Sequence, residues 1–365
     1  MRRKTVKVFM LLLAAVILYF LLWPVPIEPV AWKAPPDPGY TGPFARNERL
    51  RPMELLSIGD LHAPESVALD RQGRIYASTQ EGWIVRLQPD GSGPQKWAQT
   101  GGRPLGMAFD PQGNLIVADS FRGLLSVAPD GKVRKLAWEC DGVPILYADD
   151  VDVAADGKIY FTDASTKFGA MQHGGTYEAS LLDLMEHGGH GRLLLYDPAT
   201  EKVSTLLKGL NFANGVAVSH DQRSVLVNET GSYRVVRLWI EGPQKGKSEP
   251  LVEGLPGFPD NITAGLEGRY WVALASPRNA LLDSLSDQPF LRKVIQRMPP
   301  FARPKAAPYG HILAIDDRGK VLEDLQDPAG GYPVNTSVRE TKDYLYIGSL
   351  AASTLARLPK ARVGL

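Results

Sequence analysis

The sequence holds few of the residues that carry chemistry alone. It has one cysteine, Cys140, and six histidines in 365 residues. A single cysteine excludes an intramolecular disulfide and any multi-cysteine metal cluster. No serine sits in a Gly-x-Ser-x-Gly frame, so the nucleophile elbow of the α/β-hydrolases is absent. Neither sign of charge dominates: 41 Lys and Arg face 40 Asp and Glu, a formal net charge of +1. That balance excludes a broad basic footprint for nucleic acid and a polyanionic tail. What the chain has in quantity is glycine (36) and proline (29), beside an ordinary 44% of hydrophobic residues. This composition suits many short strands joined by turns, and barrels and propellers of this length form single domains.

The first residues are a separate object. Met1–Lys7 carry Arg2, Arg3, Lys4 and Lys7 and no acid, and residues 8–23 carry no charge. An apolar run of this length lies near the lower limit for crossing the roughly 30 Å hydrocarbon core. The cations predict a cytoplasmic N-terminus, and Tyr19 and Trp23 suit the far interface. A cleaved signal peptide is the rival reading, but Leu22-Trp23-Pro24-Val25-Pro26 makes a poor cleavage site. Residues 1–23 are therefore expected to be a basic tip and transmembrane anchor, and proline-rich 24–43 an extended linker. The body, 44–365, is expected on the non-cytoplasmic side, in a periplasm, a lumen or the extracellular space.

The body repeats. Six segments share apolar residues, a polar turn and a β-rich strand: 67–79, 107–120, 151–165, 216–230, 262–276 and 337–350. Residues alternate after each turn with period two, as in Ile75-Tyr76-Ala77. Equivalent points at Ile75, Leu115, Ile159, Val225, Tyr270 and Leu345 fall 40, 44, 66, 45 and 75 residues apart. Forty to forty-five residues is one four-stranded blade, and the longer steps are blades with insertions. The fold class is thus all-β, a six-bladed β-propeller, with MELLSIGD (53–60) expected to close the ring on the last blade. Two β domains side by side would need a linker, and none divides the repeats. The insertions lie near 167–190 and 277–308. Helical spacing from about Pro289 predicts a surface helix capping a blade. A lid over the channel and a helix resting on the bilayer are the other readings.

Polar residues interrupt the apolar pattern at one phase, just upstream of the repeats: Glu65, Asp149 with Asp150, Asn214, and Asp260 with Asn261. In a propeller, equivalent blade positions meet at the central channel. Carboxylate and carboxamide oxygens converging there favour Ca²⁺ over a thiophilic metal. Each residue alone also suits a turn cap, so the shared phase carries the argument. His187-Gly-Gly-His190 offers too few ligands for zinc, Cys140 reads as a buried or loop thiol, and the sequons at Asn228, Asn261 and Asn335 are short enough to arise by chance.

The motifs Ala63-Pro-Glu65-Ser, Arg103-Pro-Leu-Gly-Met, Ala148-Asp149-Asp-Val-Asp-Val, Ile159-Tyr-Phe-Thr-Asp, Phe212-Ala-Asn214-Gly-Val, Pro256-Gly-Phe-Pro-Asp260-Asn-Ile and Tyr344-Leu-Tyr-Ile-Gly-Ser-Leu resemble the strictosidine-synthase-like family over roughly residues 50–360. More distantly the chain is similar to the paraoxonases and the gluconolactonases. The resemblance implies a calcium-bearing channel and hydrolysis of aryl esters or lactones. Glu65, Asn214 and Asp260 match the family's metal ligands, and Asn261 matches a further ligand of paraoxonases. Asp149 stands where relatives usually carry Asn, which adds a negative charge. Asp150 matches an aspartate that serves a second, structural calcium in paraoxonases, but Ser66 replaces an acid there, so one ion is expected. Thr336 stands where strictosidine synthase needs a glutamate, which argues against Pictet–Spengler condensation. Leu105 replaces the paraoxonase relay histidine, leaving Asp260 or Asp149 as the candidate base. Leu105, Asp150 and His62 are the candidates for substrate contact. The expected function is a membrane-anchored, calcium-dependent hydrolase of small esters or lactones. The alternative is a non-catalytic propeller with structural calcium that binds a ligand or partner.

Overall fold

The repeat units fold as antiparallel sheets because each joins two apolar strands through a tight turn. In Phe109-Asp110-Pro-Gln-Gly113-Asn114, Asp110 accepts the Asn114 N–H through Oδ1 at 2.8 Å, and Gly113 takes φ +87°. A left-handed residue at that point favours glycine, which is why the repeats carry it. The computed structural model describes residues 2–365. It contains six four-stranded sheets, one per repeat, and a two-stranded ribbon at 139–144. The inner strands are Val67–Leu69, Pro104–Phe109, Ala148–Val153, Ala213–Val218, Gly257–Ala264 and Asn335–Glu340. Their partners, such as Leu115–Asp119 and Ser224–Glu229, are buried along their whole length, sandwiched between neighbouring blades. The early strand Glu54–Ser57 pairs with Thr354–Pro359 as the fourth strand of the last blade. An ion pair from Arg357 to Glu54 at 2.9 Å holds this closure.

The core is a ring of interfaces. Ala68, Tyr76, Met107 and Val117 fill the gap between blades one and two, and Leu50, Trp271, Ile312, Val338 and Ile347 that between blades five and six. Four further clusters fill the remaining gaps. Cys140 is buried in one of them. All three sequon asparagines are buried.

A seventh cluster lies on the channel mouth and comes from the insertions. Residues between the second and third strands of blade three form α2 (Thr176–Glu186). Those of blade five form α3 (Ala280–Ser284) and α4 (Pro289–Gln296). Ala179, Met185 and Ile295 pack with Leu105, Tyr147 and Phe212 of the channel rim. The insertions therefore form a lid, where a blade-capping surface helix was expected. Their apolar faces find partners in each other and in the rim.

The first helix, α1 (Arg2–Leu22), is long and apolar enough to cross a membrane, and none of its apolar stretch is buried. The segment 24–43 is extended, but it is docked against the protein and does not act as a free spacer. Ile27 is fully buried under the lid. The N–H groups of Val30 and Trp32 bond to the carbonyls of Glu186 and Ser286 at 2.9 and 3.0 Å. Trp32 stacks on His187 with ring centroids 3.9 Å apart, and His190 bonds to Glu186 at 2.6 Å. The two histidines are thus held by different partners.

Candidate active site

Each inner strand starts at the lidded end of the channel, and its first residues are irregular. Pairing slips between Pro104 and Met107, Ala148 and Val151, Ala213 and Val216, Pro259 and Ile262, and Asn335 and Val338. Such bulges leave residues unpaired and re-aim their side chains. The residues skipped are Leu105-Gly106, Asp149-Asp150, Asn214-Gly215, Asp260-Asn261 and Thr336-Ser337. Glu65-Ser66 occupies the same position before the first inner strand. The polar residues picked out by phase thus come from one repeated irregularity.

The blades approach closely here. A Cβ on Gly106 would lie 2.1 Å from Asp150 Oδ1, and one on Gly215 would lie 2.4 Å from the Ile262 nitrogen. The site's backbone carbonyls are also fixed. Thr336 Oγ1 and Ser337 Oγ donate to Glu65 O at 2.6 and 2.7 Å, Thr162 Oγ1 to Asn214 O at 2.5 Å, and Asn228 Nδ2 to Asp260 O at 2.6 Å.

Four oxygens at this level have no hydrogen-bond partner: Glu65 Oε2, Asp149 Oδ2, Asn214 Oδ1 and Asn261 Oδ1. Buried polar atoms are nearly always paired, so a group of four free acceptors requires an explanation. Electrostatics point the same way. Burial pushes the carboxyls of Glu65, Asp149 and Asp260 upward. Asp260 raises both of the others, while the buried Arg103 guanidinium opposes the rise at Glu65 and Asp149. A divalent ion would satisfy the oxygens and offset the repulsion. The donors are hard oxygens throughout, which fits Ca²⁺. Among the described residues, no three His, Cys, Asp or Glu side chains form a metal-holding group alone. A metal set here would therefore have to include the amide oxygens of Asn214 and Asn261.

Above the oxygens lies a cavity of about 690 Å³. Glu65, Asp149, Asn214 and Asp260 line it together with Leu105, Tyr147, Phe212, Leu182, Met185 and Ile295. Its walls are mainly apolar, and its floor carries the carboxyls.

Three candidates sit elsewhere than the cavity wall. Asn261 lies beside it and donates Nδ2 to Glu65 Oε1 at 2.7 Å. Asp150 is turned into the blade interface, where its carboxylate accepts the N–H groups of Val151 and Val216, both at 2.9 Å. It ties blade three to blade four and touches no cavity space, so substrate contact is corrected to a structural role. His62 is exposed on the rim and bonded to Glu81 at 2.8 Å. It is likewise removed from substrate contact, since its ring faces water and a carboxylate outside the cavity. One histidine does line the cavity, His173 of the first insertion. Its Nδ1 lies 3.1 Å from Gly169 O. A carbonyl only accepts, so this bond places the proton on Nδ1 and leaves Nε2 as the basic nitrogen. Its position among glycines in an irregular insertion gave no signal for the site.

The geometry defines a class: a six-bladed propeller with an oxygen-lined axial channel beneath an apolar, lidded cavity. The chain belongs to the strictosidine-synthase-like family. The strictosidine synthase model matches residues 149–243, and the strictosidine synthase-like N-terminal model matches 42–87. Over 358 residues the chain is 35% identical to adipocyte plasma membrane-associated protein of Rattus norvegicus, covering 91% of this chain and 93% of that one. It is 37% identical over 328 residues to strictosidine synthase-like protein 6 of Arabidopsis thaliana, covering 86% and 83%. Among solved structures it resembles a gluconolactonase from Xanthomonas campestris (TM-score 0.62, 18% identity, 90% of this chain and 99% of that one). It also resembles the calcium-binding protein regucalcin from Agrobacterium tumefaciens (TM-score 0.58, 14% identity, 84% and 94%). At these identities the structural likeness shows the shared fold.

Proposed function

We propose that this protein is a membrane-anchored, calcium-dependent hydrolase of esters or lactones acting at the channel floor. The observation that carries the reading is the set of unpartnered, buried oxygens at the base of an apolar cavity. Glu65, Asn214 and Asp260, with Asp149 and Asn261 beside them, would hold Ca²⁺. The bound ion supplies Lewis-acid stabilisation of charge developing on a carbonyl oxygen. The cavity walls hold the apolar part of the substrate and exclude bulk water. Asp149 Oδ2, free of hydrogen bonds, takes the proton of the attacking water, with Asp260 the other candidate base. The proton then passes to the departing alkoxide as the acyl C–O bond breaks. With Asp150 committed to the backbone and Ser66 in place of an acid, the chain holds one ion. Thr336 offers no carboxylate for strictosidine synthesis.

The N-terminus is cytoplasmic in this reading, with the propeller on the opposite side. The name of the rat relative agrees with a membrane setting, and the gluconolactonase and regucalcin neighbours agree with lactone chemistry and calcium. Leu105, where paraoxonases carry their relay histidine, favours the second reading, a propeller with structural calcium that binds a ligand without turning it over. The test is turnover of phenyl acetate and a lactone panel by the full chain, with calcium and with EDTA, beside Asp260→Ala. Calcium-dependent turnover that the variant loses supports the hydrolase. No turnover, with a calcium-dependent rise in melting temperature, supports the binding protein instead.

A further inference from the structure

The lid is bonded to α1. Arg297, just beyond α4, donates Nε to Trp23 O at 2.5 Å and Nη1 to Phe20 O at 3.0 Å, and Tyr19 Oη donates to Arg297 O at 2.9 Å. A guanidinium on the last carbonyls of a helix is the charge that a helix C-terminus favours. At 1.5 Å per residue, the eight residues of α4 extend about 12 Å from that junction. Whatever plane the end of α1 occupies, α4 and the loop after it lie close to that plane.

The same region exposes large apolar side chains. Phe301 is 81% exposed and Phe290 51%, with Leu281 and Leu291 also in the open. The other side of α4 is buried through Arg292, Ile295 and Gln296. A helix with one apolar face in the open beside a membrane-crossing helix has the form of an interfacial segment. The loop that carries Phe301 also borders the cavity, through Pro300, Arg303, Pro304 and Lys305. Its cations suit a headgroup layer.

We propose that α4 and the 299–306 loop lie in the interfacial layer of the bilayer crossed by α1, so that the cavity mouth opens onto the lipid surface. The occupant of the cavity is then a membrane-dissolved ester or lactone with an apolar body. The substrate class rests on the hydrolase reading, whereas the placement of the mouth does not. The bilayer is the partner because the exposed side chains lie on a segment bonded through Arg297 to the end of α1.

The only native cysteine is buried, so one introduced cysteine in the full chain carries a bimane probe. Phe301→Cys and Phe290→Cys are compared, in phosphatidylcholine nanodiscs, with Gln112→Cys on a turn at the opposite end of the propeller. Bimane emission at 301 and 290 is expected to shift to the blue and to be quenched several-fold more by doxyl-labelled lipid than at 112. Equal quenching at all three sites overturns the placement. A probe at Leu181→Cys on the cavity wall is expected to be quenched by a doxyl fatty acid methyl ester dissolved in the bilayer. A water-soluble nitroxide should quench it less. The reverse order overturns entry from the lipid. Neither readout requires turnover, so a failed hydrolase assay and a failed membrane placement remain distinct results.

Discussion

Asp149→Asn is expected to move the protein in opposite directions with and without calcium. In EDTA, three carboxyls share a buried site, with Arg103 as the opposing cation on Glu65 and Asp149. Replacing one by a neutral isostere removes part of the repulsion on the other two. Removing one like charge from a buried site is worth on the order of 2 kcal/mol. For a domain of this size, with an unfolding entropy of about 0.7 kcal/mol/K, that is a melting-temperature rise of about 3 °C. With calcium the sign reverses. Asparagine keeps an oxygen at the site but loses the charge, and each tenfold loss of affinity removes about 1.4 kcal/mol of ligand stabilisation. The rise in melting temperature on adding calcium should shrink by about 2–4 °C for a ten- to hundredfold loss. Scanning calorimetry in EDTA and in millimolar calcium measures both effects. Asp150→Asn is the control: its carboxylate serves the backbone N–H groups of Val151 and Val216, so it should lose stability in both conditions. The reasoning is refuted if calcium leaves the wild-type melt unchanged, or if Asp149→Asn melts lower than wild type in EDTA.

Gly215→Ala places a Cβ 2.4 Å from the Ile262 nitrogen and 2.6 Å from Asp260 O, both backbone. Overpacking that cannot relax costs roughly 3 kcal/mol or more, so the variant should melt at least about 4 °C lower and lose its calcium response. Gly113→Ala, with open space around it but φ +87°, should cost only about 1 kcal/mol. Asp183 in α2 supplies a pH test. Burial pushes its carboxyl from 3.8 up to about 7, with only partial relief from Ser165, and neither oxygen has a well-placed partner. A folded-state pKa above the unfolded value gives stability that is present below about pH 4 and lost as the pH rises through about 7. Melts at pH 5 and pH 8.5 should therefore differ less in Asp183→Asn than in wild type, by about 3 kcal/mol, since part of the effect is already lost at pH 5. An unchanged difference would remove Asp183 as the cause.

The ring was legible because each blade repeats a local signal: a turn with a left-handed glycine between two apolar strands, such as Gly113 between Phe109 and Leu115. Closure was legible from the unpaired strand ahead of the first repeat. The channel residues were legible as polar breaks at one phase. What phase did not reveal was which residue of each bulged pair faces the axis. Asp149 and Asp150 are adjacent, and a shift of one residue exchanges cavity for blade interface. Sequence treats both as site residues, but the fold assigns one to the cavity and the other to backbone N–H groups. His62 is three residues from Glu65, yet its backbone has left the channel by then and Glu81 takes the ring. The helix from Pro289 was legible from its spacing, but its place over the channel was not, for another reason. The apolar faces of the lid helices are satisfied by contacts between insertions more than a hundred residues apart in the chain, as when Arg292 Nη1 donates to Met185 O at 3.0 Å.

The proline-rich segment shows how composition can suggest freedom where the fold imposes restraint. Prolines at 24, 26, 29, 35, 36 and 38 remove backbone donors, which favours reading 24–43 as a spacer. Four of the donors that remain, at alternate residues from 28 to 34, point to the lid. The Glu28 N–H bonds to Glu186 Oε2 at 2.6 Å, Val30 to Glu186 O at 2.9 Å, Trp32 to Ser286 O at 3.0 Å and Ala34 to Ser286 Oγ at 3.3 Å. Glu186 closes α2, and Ser286 follows α3. Helix ends leave their last carbonyls without intrahelical donors, and an extended strap with donors at period two supplies them from outside. Arg292, buried on α4, completes the seam by donating to Val30 O and Ser286 O. The strap therefore works as a shared C-terminal cap that fastens both insertions and joins them to α1. A form cut at residue 44 would lose these bonds and leave the lid held by its packing on the rim alone, whereas one beginning at Pro24 would keep them.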